Sequence, residues 1–124
     1  MYENKRLTYV GSHIPIGKSF SVGHCFSTIV EAEKIGDYVT VMQQVTIGRS
    51  IGGNRAGIPS IGSNVVIASG AKVIGKLKIG DNVFVGANSV VVKDIPDNAV
   101  VVGNPARIVN YEGKNYVDAW IRRV

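Results

Sequence analysis

Every sixth residue, over most of this chain, is Ile or Val. The series begins at Ile16 and Val22 and passes through Ile29, Ile35, Val41 and Ile47. It resumes at Ile61, Ile67, Val73, Ile79, Val85 and Val91. Gly follows the aliphatic anchor at 17, 23, 36, 48, 62, 80 and 86. A period of six matches neither a 3.6-residue helix nor an alternating strand. It fits a solenoid whose coil is a triangle of three short strands, each side sending one aliphatic side chain inward. The glycines are expected to supply the backbone freedom that sharp corners need.

The repeat is interrupted twice, by one extra residue between Val22 and Ile29 and by eight between Ile47 and Ile61. With these set aside, residues 16–96 make twelve hexads, or about four triangular coils. The predicted fold is therefore all-β, a parallel β-helix spanning 1–110. The segment 49–60 projects as a loop, and 111–124 forms a short C-terminal helix or tail. In that tail Tyr116, Ala119, Trp120 and Val124 share one apolar face, which suits a cap packed on the last coil. Coils stack about 4.8 Å apart. The hexad count predicts three outward columns: His24, Gln43, Ser69 and Ala87; then Glu31, Arg49, Gly75 and Lys93; then Asp37, Ser63 and Asp81. A prism this short has a slender interior, so its walls are expected to pack against copies of itself, threefold symmetry being the natural closure.

Composition narrows the function. With 45% apolar and 19% charged residues, the chain is not a disordered segment. No apolar run approaches the roughly 20 residues of a membrane span. No hydrophobic stretch follows the first six residues, so a signal peptide is not expected. The one cysteine, Cys25, cannot form an internal disulfide, and a cytoplasmic location is the default. The net charge of +5 serves solubility or attracts an anionic ligand. The basic residues are dispersed and no aromatic platform accompanies them, which argues against nucleic-acid binding.

Two histidines carry the candidate chemistry. His13 stands beside Ile14-Pro15, where packing or exposure explains it. His24 falls at an outward position next to an irregularity, above the small residues Ser69 and Ala87. It is either a surface residue or the head of a shallow groove suited to a thread-like ligand. Imidazole is the side chain that takes a proton from a hydroxyl near neutral pH. Cys25 adjoins His24, but neighbours on a strand point to opposite sides, and a buried thiol is the expected reading. Two histidines and one cysteine without ligand spacing do not make a metal site. Gly52-Gly53 lacks the lysine and strand–helix context of a phosphate loop.

Several segments carry a resemblance. They are Ile35-Gly36-Asp37-Tyr38-Val39, Gln44-Val45-Thr46-Ile47-Gly48, Ile61-Gly62-Ser63-Asn64-Val65, Ile79-Gly80-Asp81-Asn82-Val83 and Val102-Gly103-Asn104-Pro105-Ala106-Arg107. Over roughly residues 14–110 the chain resembles the left-handed β-helix, or hexapeptide-repeat, acyltransferases. It looks most like their serine acetyltransferase and polysaccharide O-acetyltransferase branch. The resemblance implies acetyl-CoA as co-substrate, no metal, and a homotrimer with sites between subunits. It assigns the general-base role to His24, seven residues after Ile16-Gly17. It also implies that Ser69 and Ala87 line the pantetheine groove, that Gly48 lies near the thioester, and that Lys93 and Arg107 meet the CoA phosphates.

The acceptor is where the chain departs from the family's serine enzymes. Those carry an acidic residue before the histidine, where this chain has Gly23. They carry Arg-His before the loop-exit proline, where this chain has Gly57-Ile58 ahead of Pro59. No acidic partner for the histidine is evident; Tyr9 stands at its aligned place, and Glu31 or a backbone carbonyl is left for the task. These departures favour a saccharide hydroxyl, as in polysaccharide biosynthesis, over serine as the small-molecule acceptor. Serine O-acetylation for cysteine biosynthesis, N-acylation of a nucleotide-linked amino sugar, and a non-catalytic trimeric scaffold are the alternatives. The γ-carbonic anhydrases share such a prism but need three metal-binding histidines, one more than this chain has.

Overall fold

The computed structural model describes residues 8–24 and 26–123 of the chain, with side chains described as far as Trp120. Cys25, the first seven residues and Val124 lie outside the described residues, and with them the expectations for the thiol, the N-terminus and the end of the apolar face. The strands follow the six-residue rhythm because one aliphatic side chain per side suffices to fill a narrow triangular interior. The first coil carries β1 (Tyr9–Val10) and β2 (Ser21–Val22), with Ile16 bridging to Ile35 between them. The second carries β3 (Ile29–Val30), β4 (Lys34–Ile35) and β5 (Val39–Val41). The third carries β6 (Thr46–Gly48), β7 (Ser60–Ile61) and β8 (Val65–Ile67). The fourth carries β9 (Lys72–Ile74), β10 (Lys78–Ile79) and β11 (Val83–Val85). A last coil adds β12 (Val90–Val91), the bridge Ile79–Ile95 and β13 (Val100–Gly103). The twelve-anchor series is thus extended by Val10 above and by Ile95 and Val101 below.

These strands stack in parallel into three walls, ordered β1-β3-β6-β9-β12, β4-β7-β10 and β2-β5-β8-β11-β13. The last wall is finished by β14 (Ala106–Asn110), antiparallel to β13. The inward column of Val30, Ile47 and Val73 is fully buried, as are Val41, Ile67 and Val85.

One corner departs from the sequence count. Val30, not Ile29, is the anchor of β3: Val30 is fully buried and pairs with Val10 and Ile47, while Ile29 is 46% exposed. The step from Val22 to the next inward residue is therefore eight, followed by five to Ile35. Both residues are aliphatic, so periodicity could not choose between them. The slip also moves Glu31 opposite Gly48 rather than Arg49, because β3 pairs Val30 with Ile47. Arg49 still reaches Glu31, at 3.7 Å.

The predicted column Asp37, Ser63, Asp81 is present, and it explains the glycines. The amide of each residue donates to the side chain one coil below: Lys18 to Asp37 at 3.0 Å, Asp37 to Ser63 at 3.0 Å, Ser63 to Asp81 at 2.8 Å and Asp81 to Asp97 at 2.7 Å. A Cβ on Gly17, Gly36, Gly62 or Gly80 would overlap those same oxygens. These four glycines are required by close approach, not by conformational freedom; Gly48, whose Cβ would meet nothing nearer than 3.6 Å, is not. The left-handed corner residues are instead Ser19, Tyr38, Asn64, Asn82 and Asn98, with φ between 56° and 65°.

The 49–60 segment leaves the third coil as a hairpin. Ser50 and Gly57 exchange both amide–carbonyl hydrogen bonds, at 3.0 and 2.9 Å. The tip is exposed, but the base is pinned to the coils below: Arg55 O accepts from the Lys76 amide, and its guanidinium meets Asp94 at 2.9 Å. The tail forms α1 (Gly113–Arg123). It does not cap the open end. It lies along the third wall against β11, with Val117 fully buried and the Tyr116 ring 5.7 Å from that of Phe84. Gly113 seats the helix: its amide donates to Asn98 O, and a Cβ there would strike the carbonyls of Asn82 and Ala99.

Candidate functional site

The irregular corner after β2 carries His24. In the lower coils the corner amides donate in sequence down one column, Gly70 to Gln43 O and Asn88 to Ser69 O. The corresponding amide of Gln44 donates to Phe26 O, at 2.8 Å. Phe26, not His24, therefore heads the column of Gln43, Ser69 and Ala87. The corner between Val22 and Val30 is two residues longer than its counterparts in the lower coils and bulges by that much, although the strands on either side keep regular pairing. Below it the regular turn is restored by Ser27, at φ 50°, and by buried Thr28, whose hydroxyl donates to Phe26 O. His24 itself has φ 53° and is exposed. The displacement moves it off the expected column while keeping it at the same corner.

A cavity of about 390 Å³ opens beside His24 on the third wall. Its floor is built from outward positions of the first two coils: Ser21 of β2 with Gly23 just after that strand, and Thr40 of β5 with Met42 just after it. Ser19 and Tyr38, on the corner that precedes those strands, and Trp120 of α1 complete its lining. A Cβ on Gly23 would meet Met42 Sδ at 3.3 Å, a contact that a flexible thioether can relieve. The Lys18 ammonium lies 5.8 Å from the Tyr38 ring centre. Strand alternation makes the floor residues legible in sequence. Trp120 was not, since its part in the cavity requires the helix to return along the wall.

The other expected site residues are spread along the prism. Ser69 is half-buried and Ala87 exposed, on the corner below Phe26 and Gln43. The Gln43 Oε1 atom is buried and accepts no hydrogen bond among the described residues. Gly48 ends β6 at the far edge of the first wall, so one chain does not bring it to His24. Lys93, following β12, and Arg107, in β14, are both exposed on the last coil. From the corner of His24, between β2 and β3, β12 is three strand steps away on the first wall and β14 five on the third, roughly 14 and 24 Å along the axis. Among the described residues, no helix is long and apolar enough to cross a membrane.

Comparison with known proteins agrees with this architecture. Residues 59–93 match the family described as bacterial transferase hexapeptide (six repeats). The chain is 44% identical over 99 residues to serine acetyltransferase of Staphylococcus aureus (strain Mu50), a match covering 79% of this chain and 46% of that protein. Soybean serine acetyltransferase complexed with serine superposes with a TM-score of 0.72 at 39% identity, over 81% of this chain and 42% of the soybean chain. A serine acetyltransferase in complex with CoA superposes with a TM-score of 0.68 at 35% identity, over 77% and 39% of the two chains. The chain thus spans about half the length of the curated relatives it matches. The repeat, the three-walled prism and these likenesses make the winding left-handed. The chain carries the hexapeptide repeat and resembles the serine acetyltransferases in both sequence and fold.

Proposed function

We propose that the chain is an acetyl-CoA-dependent O-acetyltransferase acting by direct transfer, with His24 as general base. The observation that carries the reading is the bulge that sets an exposed imidazole between a mostly apolar cavity and a corner of small residues. The relatives' names favour serine as acceptor. Serine therefore stands ahead of the saccharide that the uncharged Gly23, Gly57 and Ile58 suggested.

Acetyl-CoA supplies the activated acyl group. Ser69 and Ala87 would let its pantetheine arm approach the corner, and Lys93 and Arg107 offer charge for its phosphates. His24 takes the proton of the acceptor hydroxyl as the oxygen bonds to the acetyl carbon. The carbon–sulfur bond breaks, the proton passes from His24 to the sulfur, and CoASH leaves without a covalent enzyme intermediate. Gly48 stands too far along its own chain to help, so its amide would act only in an assembled trimer, steadying the oxyanion at a neighbour's His24. The exposed apolar side chains Tyr9, Ile29 and Val92 on the first wall support such an assembly.

One observation favours the saccharide as a second reading. Gly57, where serine enzymes carry arginine, has φ 131°, and a Cβ there would press on Lys76. A side chain at that position would strain the backbone and crowd Lys76. The test is release of CoASH from acetyl-CoA with L-serine and with simple glycosides. His24→Ala should lower turnover by about 10²-fold or more; unchanged turnover removes the general-base role. No release with any hydroxyl acceptor would leave the scaffold alternative.

A further inference from the structure

The cavity beside His24 is bounded in part by a residue outside the β-helix, Trp120 of α1. The third wall is open over its first two coils and covered below them by α1. Beneath the helix Val66 and Val100 are only 2% and 6% exposed, although both stand on the outer side of their strands. Trp120, one helical turn beyond Tyr116, ends the opening. A thread-like acyl carrier needs a channel that runs on past several coils, and this cavity is lined only by residues of the first two coils and by the indole. The corner of Ser69 and Ala87 does run on, and it lies on the other side of the His24 bulge.

The backbone marks the same place. At the corner occupied by Asn64, Asn82 and Asn98 in the lower coils, the second coil carries Tyr38 at φ 56°. Asparagine tolerates that conformation; a bulky ring does so only at a cost. Strain of this kind collects at ligand sites. The ring lines the same cavity as Trp120, together with Ser21 and Thr40.

We infer that this cavity is the acceptor subsite and that Trp120 is its specificity-determining wall. The ligand is a small alcohol that packs an uncharged face between the two aromatic rings and turns one hydroxyl toward His24. Ser21 and Thr40 hold its remaining polar groups. The helix thereby separates acceptor from donor, keeping the carrier on the corner and the alcohol on the wall. The inference rests on the O-acetyltransferase reading, and serine and a sugar are two sources of the same hydroxyl chemistry.

Trp120 is the only tryptophan in the chain, so intrinsic fluorescence reports directly on the cavity. Full-length protein is titrated separately with L-serine, methyl α-D-glucopyranoside and acetyl-CoA, and CoASH release is followed in parallel. The compound that supports release should change the indole emission saturably, with a midpoint near its KM, while acetyl-CoA alone should not. Trp120→Ala should raise the KM for that acceptor by about tenfold, and Trp120→Phe should largely restore it. The KM for acetyl-CoA should stay within about twofold in both variants. Silent fluorescence at saturating acceptor, with CoASH release intact, overturns the subsite and leaves the transferase reading standing. So does an indole response to acetyl-CoA alone. A saturable response to one alcohol without CoASH release upholds the cavity as a binding site and counts against the transferase reading.

Discussion

Replacing Gly62 by Ala should destabilise the protein well beyond the usual effect of a glycine-to-alanine change. The new Cβ would lie 2.7 Å from Gly80 O and overlap Asp81 Oδ1. Neither is the free end of a long side chain: one is backbone, and the other is held by the 2.8 Å bond from the Ser63 amide. Forcing a methyl group into packed surroundings costs about 1–3 kcal/mol. Displacing the carboxylate loses a charge-assisted hydrogen bond, about 1.5 kcal/mol before discounting its exposure. The gain from restricting the unfolded chain returns about 0.4–1 kcal/mol. The net expectation is a loss of about 2–4 kcal/mol, or roughly 10 °C in Tm for a chain of this size. Urea or thermal unfolding at one fixed protein concentration measures it, since oligomerisation would make stability depend on concentration. Gly52→Ala is the control, because its Cβ would meet nothing within 4 Å, and it should change stability by less than about 0.5 kcal/mol. Adding Asp81→Ala to Gly62→Ala should recover part of the loss, and the two changes should not add. If Gly62→Ala behaves like Gly52→Ala, the stacked ladder is not what dictates glycine after the anchors.

Three further outcomes are expected. Val30→Ala should cost about 2 kcal/mol and Ile29→Ala distinctly less in thermal unfolding; the reverse order would restore the seven-residue step. The Asp94 carboxyl is held below its usual pKa by the hydrogen bond from the Lys78 amide and by Arg55, against a smaller opposing effect of burial. Because the folded value is depressed, Asp94's contribution is present above the unfolded carboxylate value, about 3.9, and is lost as pH falls through the folded one. Amide exchange at Gly57 and Lys76 should therefore quicken in that acid range, and Asp94→Asn should show the faster exchange near neutrality; equal protection in both proteins would mean that this contact does not pin the hairpin. Finally, Gly23→Asp puts a carboxylate where serine enzymes have one, and the flexible Met42 thioether, 3.3 Å from the new Cβ, must give slightly. It should lower the KM for serine relative to a glycoside, and an unchanged ratio would show that charge at this position does not set acceptor choice.

How much was legible from residues alone follows from what repeats. Asp37, Ser63 and Asp81 could be stacked from the chain because a coil of fixed length puts equivalent positions above one another, and the hairpin could be subtracted because its glycines and polar residues break the rhythm. The glycines were located correctly and explained wrongly: one strand cannot reveal that a carboxylate from the next coil fills the space a methyl group would take. The corner of His24 was misread because Ile29 and Val30 serve the periodicity equally well. Only the pairing of Val30 with Val10 and Ile47 decides which points inward, and that choice sets Phe26 on the column and His24 on a bulge.

Trp120 lay further beyond reach. Its place in the same cavity as Tyr38 depends on a helix that breaks the repeat, returning along a wall it adjoins nowhere in sequence. The six-residue rhythm encodes neighbours at fixed separations, so it dictates the prism, its three faces and the ladder. The cavity arises from a two-residue slip and from the seating of Gly113 against the carbonyls of Asn82 and Ala99. Neither is periodic, and both depend on contacts that exist only once the coils have stacked.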